Sequence, residues 1–141
     1  MLFQVPARGL SRLDLRRFAR RLQSDVAGGR GFNCLIADDG ELRRLNRDFR
    51  KQDYPTDVLS FPSGDANGFA GEIAISFDRA RAQASEQGHP VDQETRVLML
   101  HGVLHLIGFD HETDNGRMAR VERRWRKILG LPAGLIERAR S

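Results

Sequence analysis

Val97-Leu98-Met99-Leu100-His101-Gly102-Val103-Leu104-His105-Leu106-Ile107-Gly108-Phe109-Asp110-His111 decides how this 141-residue chain folds. From Val97 to Ile107 the run is apolar almost all round, and a helix of that kind is a central, buried one rather than a surface one. Three of the four histidines in the chain fall between positions 101 and 111. Residues four apart on a helix lie one above the other on one face, so His101 and His105 can grip a single ion. Gly108 can take the left-handed conformation that ends helices. The chain then folds back, and His111 reaches the same ion from the other side. Imidazole is the commonest metal-ligating side chain, and a packed helix fixes its rotamers.

Three nitrogen ligands with one place left for water is the catalytic form of a zinc site, because structural sites usually fill all four places. The register matches the zinc-protease pattern H-E-x-x-H-x-x-G-x-x-H in its histidines and glycine. It departs at Gly102, where the proteases carry the glutamate that serves as general base. The stretch therefore predicts one divalent metal ion, Zn²⁺ best by donor type, with Ni²⁺, Cu²⁺ and Fe²⁺ also compatible with imidazole. It argues against peptide hydrolysis. His89, in Gly88-His89-Pro90, reads as a loop residue without a role.

Working outward, Leu2 to Val5 reads as a short first strand. Ser11 caps a helix whose stripe is Leu15, Phe18, Leu22 and Val26, stopped by Gly28-Gly29. Asn33 to Ala37 reads as a buried strand, and Asp39 starts a second helix carrying Leu42, Leu45 and Phe49. Arg50 to Pro55 is a polar loop. Thr56 to Phe61 and Gly71 to Ser76 read as two strands of a hairpin. Ser76 caps a helix to about Gln87, with Ala80 and Ala84 as its packing face. Asp92 caps the histidine-bearing helix, and a last helix runs from about Asp114 to Leu129, where Gly130 and Pro132 end it. The order βαβαββααα predicts a single α+β domain over residues 1–141, a small mixed sheet packed against helices with a central, zincin-like metal-bearing helix.

No run of about 18 apolar residues exists, so no membrane span is expected. No signal peptide opens the chain, and Cys34 is its one cysteine, which suits the cytoplasm. The net charge is +4, and arginine outnumbers lysine 21 to 2. Arginine binds phosphate bidentately and stacks on bases, so this surface suits nucleic acid. A codon bias toward arginine would produce the same ratio.

The histidine stretch resembles the H-G-x-L-H-L-x-G-x-D-H signature of the YbeY family of bacterial metal-dependent endoribonucleases. Arg50 with Pro55-Thr56-Asp57-Val58-Leu59-Ser60-Phe61-Pro62, and Gly71-Glu72-Ile73-Ala74-Ile75, extend the resemblance over nearly the whole chain in order. At Glu72 the family more often has aspartate. The resemblance implies an α+β fold and a single-strand-specific endoribonuclease. It implies action at the 3′ end of small-subunit ribosomal RNA and in ribosome quality control. Single-stranded RNA and ribosomal RNA are the implied partners, with the ribosome or its proteins as further candidates. His101, His105 and His111 are the implied metal ligands, and Arg50 the implied functional arginine.

Neutral imidazoles leave the ion's positive charge uncancelled, which suits a phosphodiester and the charge that builds in its transition state. Arg50 offers a second cation with a fixed fork of donors. Asp110 and Glu72 are candidate acceptors behind the ligand histidines, and Asp110 equally suits shaping the turn before His111. Thr56, Asp57 and Ser60 either line the cleft or brace the strand, and strict alternation sets Asp57 opposite Thr56 and Val58. Arg43, Arg44, Arg47 and Lys51, or Arg120, Arg123, Arg124 and Arg126, would track an RNA backbone or form solvated helix faces. Two nucleophiles stay open, water activated at the metal or the RNA 2′-hydroxyl. The alternatives are another metallohydrolase, a protease or phosphoesterase, and a ribosome-associated binding protein whose metal is structural.

Overall fold

The computed structural model of the chain describes residues 1–54, 56–65, 68–110 and 114–140. Two parallel steps build its sheet. β1 (Leu2–Phe3) leads through α1 (Arg12–Arg21) to β2 (Phe32–Ala37), which lies parallel beside it with Leu2 opposite Leu35. From β2 the chain runs through α2 (Asp39–Arg50) to β3 (Val58–Pro62) and back along β4 (Gly71–Ser76). β4 sits parallel to β2 with Ile36 opposite Ile75, and antiparallel to β3 with Ser60 opposite Ile73. The sheet order is β1-β2-β4-β3, so β3 is an edge strand. Four helices follow in sequence: α3 (Phe77–Gln87), α4 (Val91–Leu106), α5 (Arg117–Leu129) and α6 (Leu135–Arg140).

The apolar run folds as expected. α4 buries Val97 through Leu104 and also Leu106, which join Ile73 and Ile75 of β4 and Ile36 of β2 in the main core. Each fully buried Leu or Val there contributes about 1.5–3 kcal/mol over its exposed state. Alternation along β4 turns Ala74 to the other face, where Leu42 of α2, Leu59 and Ala37 cover it. α4 thus lies on one side of the sheet and α2 on the other.

Local signals set most boundaries. Ser11 Oγ accepts from Asp14 N, Asp38 from Glu41 N and Ser76 from Arg79 N, each at the start of a helix. Gly88 and Gly130 end α3 and α5 with φ of 72° and 70°, the left-handed cap that glycine adopts without strain.

Several expectations shift. The first helix does not run straight to Val26, because Leu22–Val26 winds as a π-helical turn. The first strand is Leu2–Phe3, although Gln4 N still donates to Ile36 O at 2.9 Å. Asp92 is not the cap of α4: Pro90 holds that place without a side-chain bond, and Asp92 sits in the first turn, where a carboxylate favours the helix dipole. Asp114 lies outside α5 and caps it, accepting from Gly116 N at 3.1 Å and Met118 N at 2.7 Å. β3 starts at Val58, so Thr56 and Asp57 precede the strand and escape its alternation. α6 was not expected. It docks through Arg138, whose guanidinium forks onto Glu94 at 2.8 and 2.8 Å.

Among the described residues no helix is long and apolar enough to cross a membrane. Cys34 is buried on β2, and burial pushes its thiol up to about 12. A thiol held neutral does not alkylate, since the thiolate is the nucleophile. Iodoacetamide at pH 8.5 should leave Cys34 unmodified in the native protein and label it fully in urea, as read by intact mass; rapid native labelling would contradict this packing.

Candidate active site

A cleft of about 450 Å³ opens where three elements end or meet an edge, lined by Arg50, Thr56, Asp57, Val58, Ser60, Pro62, His101, His105 and Asp110. Arg50 is the last residue of α2, and the helix stops because Lys51 turns into the left-handed region at φ 59°. Asn46 is buried and donates from Nδ2 to Tyr54 O at 2.9 Å, folding the following loop back onto α2. The edge strand β3 forms one wall, and the C-terminal turns of α4 form the floor.

His101 and His105 face each other across the cleft floor, Nε2 to Nε2, at 3.1 Å. Their other ring nitrogens are committed. His101 Nδ1 lies 2.7 Å from Glu122 Oε2 and His105 Nδ1 2.9 Å from Phe109 O. A carboxylate and a carbonyl only accept, which assigns a hydrogen to each Nδ1 and leaves Nε2 as the nitrogen that can take a metal when the ring is neutral. Two neutral rings so arranged would aim both Nε2 lone pairs at one place, where a cation would satisfy them together. Two nitrogens about 2.1 Å from one tetrahedral ion would be roughly 3.4 Å apart, close to the observed spacing. Metal-bound histidines usually donate the second ring N–H to such acceptors. The donor set therefore fits a divalent ion. Among the described residues, no group of three His, Cys, Asp or Glu stands ready to hold a metal; His111 lies outside the described residues.

Gly108 has φ 106°, a turn that brings the Phe109 carbonyl back to His105, while Phe109 N donates to Leu104 O at 3.1 Å. Ser60 is buried, and its Oγ donates to Gly102 O at 3.0 Å, tying β3 to α4. Gly102 faces the sheet: a Cβ there would stand 3.0 Å from Ile73 Cγ2, 3.3 Å from Val58 Cγ2 and 3.4 Å from Ser60 Oγ. The glutamate of the protease pattern would here press on Ile73, Val58 and Ser60 more tightly than side chains ordinarily pack.

Of the residues singled out in the sequence, the structure gathers Arg50, Thr56, Ser60, Asp110, His101 and His105 around one cleft. Asp57 joins them, with Oδ1 accepting from Val58 N at 2.8 Å and Oδ2 from Gln83 Nε2 at 3.1 Å. Glu72 is not brought there. It is exposed on the face of β4 opposite Ile73 and Ile75, beside Leu35, Leu45, Phe49 and Phe61. The acceptor behind His101 is Glu122 instead, a residue that sequence reasoning passed over. Its signal was present: Glu122 falls four residues after Met118 and three before Trp125, on the apolar stripe of α5, and is 1% exposed.

Part of the basic surface is paired, on α2 above all. Arg43 contacts Asp53 at 2.8 Å, Arg44 bonds Glu41 and also Asp48, and Arg126 contacts Glu137 at 2.7 Å.

The family model described as Endoribonuclease YbeY matches residues 14–130, stopping just short of the segment that carries α6. The Endoribonuclease YbeY of Solibacter usitatus (strain Ellin6076) is 64% identical over 132 residues, covering 94% of this chain and 88% of that protein. The one from Koribacter versatilis (strain Ellin345) is 50% identical over 131 residues, covering 92% and 85%. Among solved structures, the solution structure of TM1509 from Thermotoga maritima aligns with a TM-score of 0.63 and 26% identity over 92% of this chain and 88% of that one.

Because position 102 packs against the sheet, restoring the protease pattern should fail structurally. Gly102→Glu is expected to lower stability by about 3 kcal/mol or more, from over-packing plus a buried charge. It should show no casein hydrolysis. Urea unfolding and a casein assay check this, and a stable, proteolytic variant would refute it.

Proposed function

The chain belongs to the YbeY endoribonuclease family, and on that premise we propose that it is a metal-dependent, single-strand-specific endoribonuclease of the cytoplasm. Its proposed task is ribosomal RNA processing at the 3′ end of the small-subunit RNA, with ribosome quality control and contact with the ribosome as the setting. The observation that carries the reading is the pair of imidazole nitrogens 3.1 Å apart on the floor of a cleft that Arg50 also lines.

One divalent ion, Zn²⁺ by the donor set, would be held by His101 and His105, with His111 as third ligand on its spacing. When bound, such an ion supplies Lewis acidity toward a phosphoryl oxygen and lowers the pKa of a coordinated water. The residues of the chain do the rest. Three neutral imidazoles would leave the ion's positive charge uncancelled, and with Arg50 that charge would attract phosphate although Asp57 and Asp110 also line the cleft. Arg50 would bind the non-bridging oxygens with its guanidinium fork and oppose the charge that builds on them. Thr56 and Asp110 line the same cleft and would contact the ribose and the flanking linkage. Ser60 holds α4 to the edge strand, so the histidines keep their place relative to that wall. The volume suits about one nucleotide unit rather than a duplex, in keeping with RNA recognition through unstacked strands. The filled space around Gly102 speaks against the protease alternative.

Purified protein, free of a histidine tag, should cleave a single-stranded RNA oligonucleotide, lose that activity to a chelator and regain it with Zn²⁺. His105→Ala and His111→Ala should abolish cleavage. Arg50→Ala should lower kcat by about 10²–10³-fold with a smaller change in KM. Equal cleavage by the unaltered chain and by His111→Ala would expose a contaminant and sink the proposal.

A substrate with a single 2′-deoxy linkage separates the two nucleophiles. Cleavage retained at that linkage rules out obligatory attack by the 2′-hydroxyl, and cleavage lost there rules out direct attack by water as the main route.

A further inference from the structure

Glu122 is 1% exposed, yet nothing in the proposed reaction uses it. An ionised carboxylate at that depth is costly unless both oxygens find partners. Both do. Oε2 faces His101 Nδ1 at 2.7 Å, and Oε1 accepts from Ile136 N at 3.1 Å. The space around the carboxylate is cut to its shape: a Cβ at Gly134 would stand 2.2 Å from Oε1, 2.7 Å from the carboxyl carbon and 3.0 Å from Cγ. Gly134 and Ile136 stand at the start of α6, which is anchored in turn by the fork of Arg138 on Glu94 in the first turn of α4. The chain therefore closes a circuit from α4 through Arg138 and α6 to Glu122, and from Glu122 back to α4 at His101.

We propose that Glu122 is a positioning residue for the metal centre, and that the Gly134–Ile136 turn sets where its carboxylate stands. The inference rests on the metal reading above. A histidine ring presents either N–H or a lone pair at Nε2, and only the lone pair binds a metal. By accepting from Nδ1, Glu122 fixes the tautomer and stops the ring from flipping about χ2. Phe109 O does the same for His105 at 2.9 Å. The two rings are thus oriented by different means, a backbone carbonyl from the helix's own C-terminal turn and a carboxylate delivered from α5. Only the second can be altered by a side-chain substitution, so it is the one open to test.

The full-length chain carries the test in three variants: Glu122→Gln, Glu122→Ala and Gly134→Ala. Gly134→Ala keeps every proposed ligand and the carboxylate itself, and displaces only its position. Histidine ring nitrogens are followed by long-range ¹H–¹⁵N NMR on metal-free protein at pH 8, and Zn²⁺ affinity by competition with a chromophoric chelator. In the unaltered chain His101 should be the Nδ1–H tautomer. In Glu122→Gln and Gly134→Ala it should shift to a mixture or to Nε2–H, and Zn²⁺ should bind about 10–100-fold more weakly. If Glu122→Ala does not fold, the other two suffice. Folded variants with an unchanged tautomer overturn the proposal, whether or not affinity falls, because any loss would then come from charge rather than orientation. A tautomer that shifts as expected in a chain that binds no Zn²⁺ would overturn the metal reading and leave the hold of Glu122 on the ring standing.

Discussion

Everything in the site depends on how closely α4 lies against the sheet. The approach is possible because position 102 has no side chain, and it is fixed because Ser60 donates to the Gly102 carbonyl at 3.0 Å. Successive residues on a helix are turned by about 100°. With Gly102 committed to the sheet, His101 is turned away from it toward α5, where Glu122 waits. His105 lies one turn further along the same face, at the mouth of the cleft. One packing contact therefore sets the direction of both rings, and the apolar residues around it make that direction rigid. The same contact takes away the place of a general base, so the geometry that orients the histidines also removes the protease chemistry.

Among the described residues two carboxylates are buried on this framework, and they are used differently. Glu94 faces His89 Nε2 at 2.7 Å and the bidentate guanidinium of Arg138. With an arginine fork it forms a lock between helices, the kind of buried pair that is destabilising to break although it adds little net stability over apolar packing. Among the described residues Glu122 has no arginine partner. Its partners are one imidazole and one backbone N–H, a weaker compensation for the same depth. A fold that needed only cohesion there would fill the space with a leucine. The lock at Glu94 keeps α6 in place, and α6 supplies the backbone donor that makes the Glu122 carboxylate tolerable.

What was legible in the sequence was local. Uniform apolarity announced α4 as the buried helix, and the i, i+4 histidines with Gly108 announced the converging rings, because helix geometry alone brings them together. Caps at Ser11 and Ser76 and the stop at Gly88 worked because side chain and backbone within a few residues decide them. The failures are contacts that cross elements. α6 is short and lacks a long stripe of its own; it is held by Arg138 reaching Glu94, 44 residues away in sequence. Glu122 acquires its meaning only from His101. Glu72 was within reach of a better reading, since its alternation with Ile73 and Ile75 already sets it on the face away from α4. Strand alternation does not extend to Thr56 and Asp57, which form the approach to β3 and both line the cleft.

The basic charge of the chain is less directive than its total suggests. Arg43, Arg44 and Arg47 on α2 stand beside Asp53, Glu41 and Asp48, so much of the helix's positive field is compensated within the helix and the loop that follows it. Exposed pairs of this kind are worth about 0–1 kcal/mol and are screened by salt. They yield to a phosphate that comes close, but they do not reach far into solution. The cation that acts locally is the one at the cleft. Arg50 ends α2, where the helix dipole favours positive charge, and it lies on the same cleft as the two imidazoles. A flexible strand threaded past the β3 edge would meet both at once, whereas a phosphate on the outer arginines of α2 would meet charges already partnered. On the proposed function, recognition would fall to the cleft, where the ends of three elements meet, and the surrounding basic surface would add a weaker attraction that salt removes.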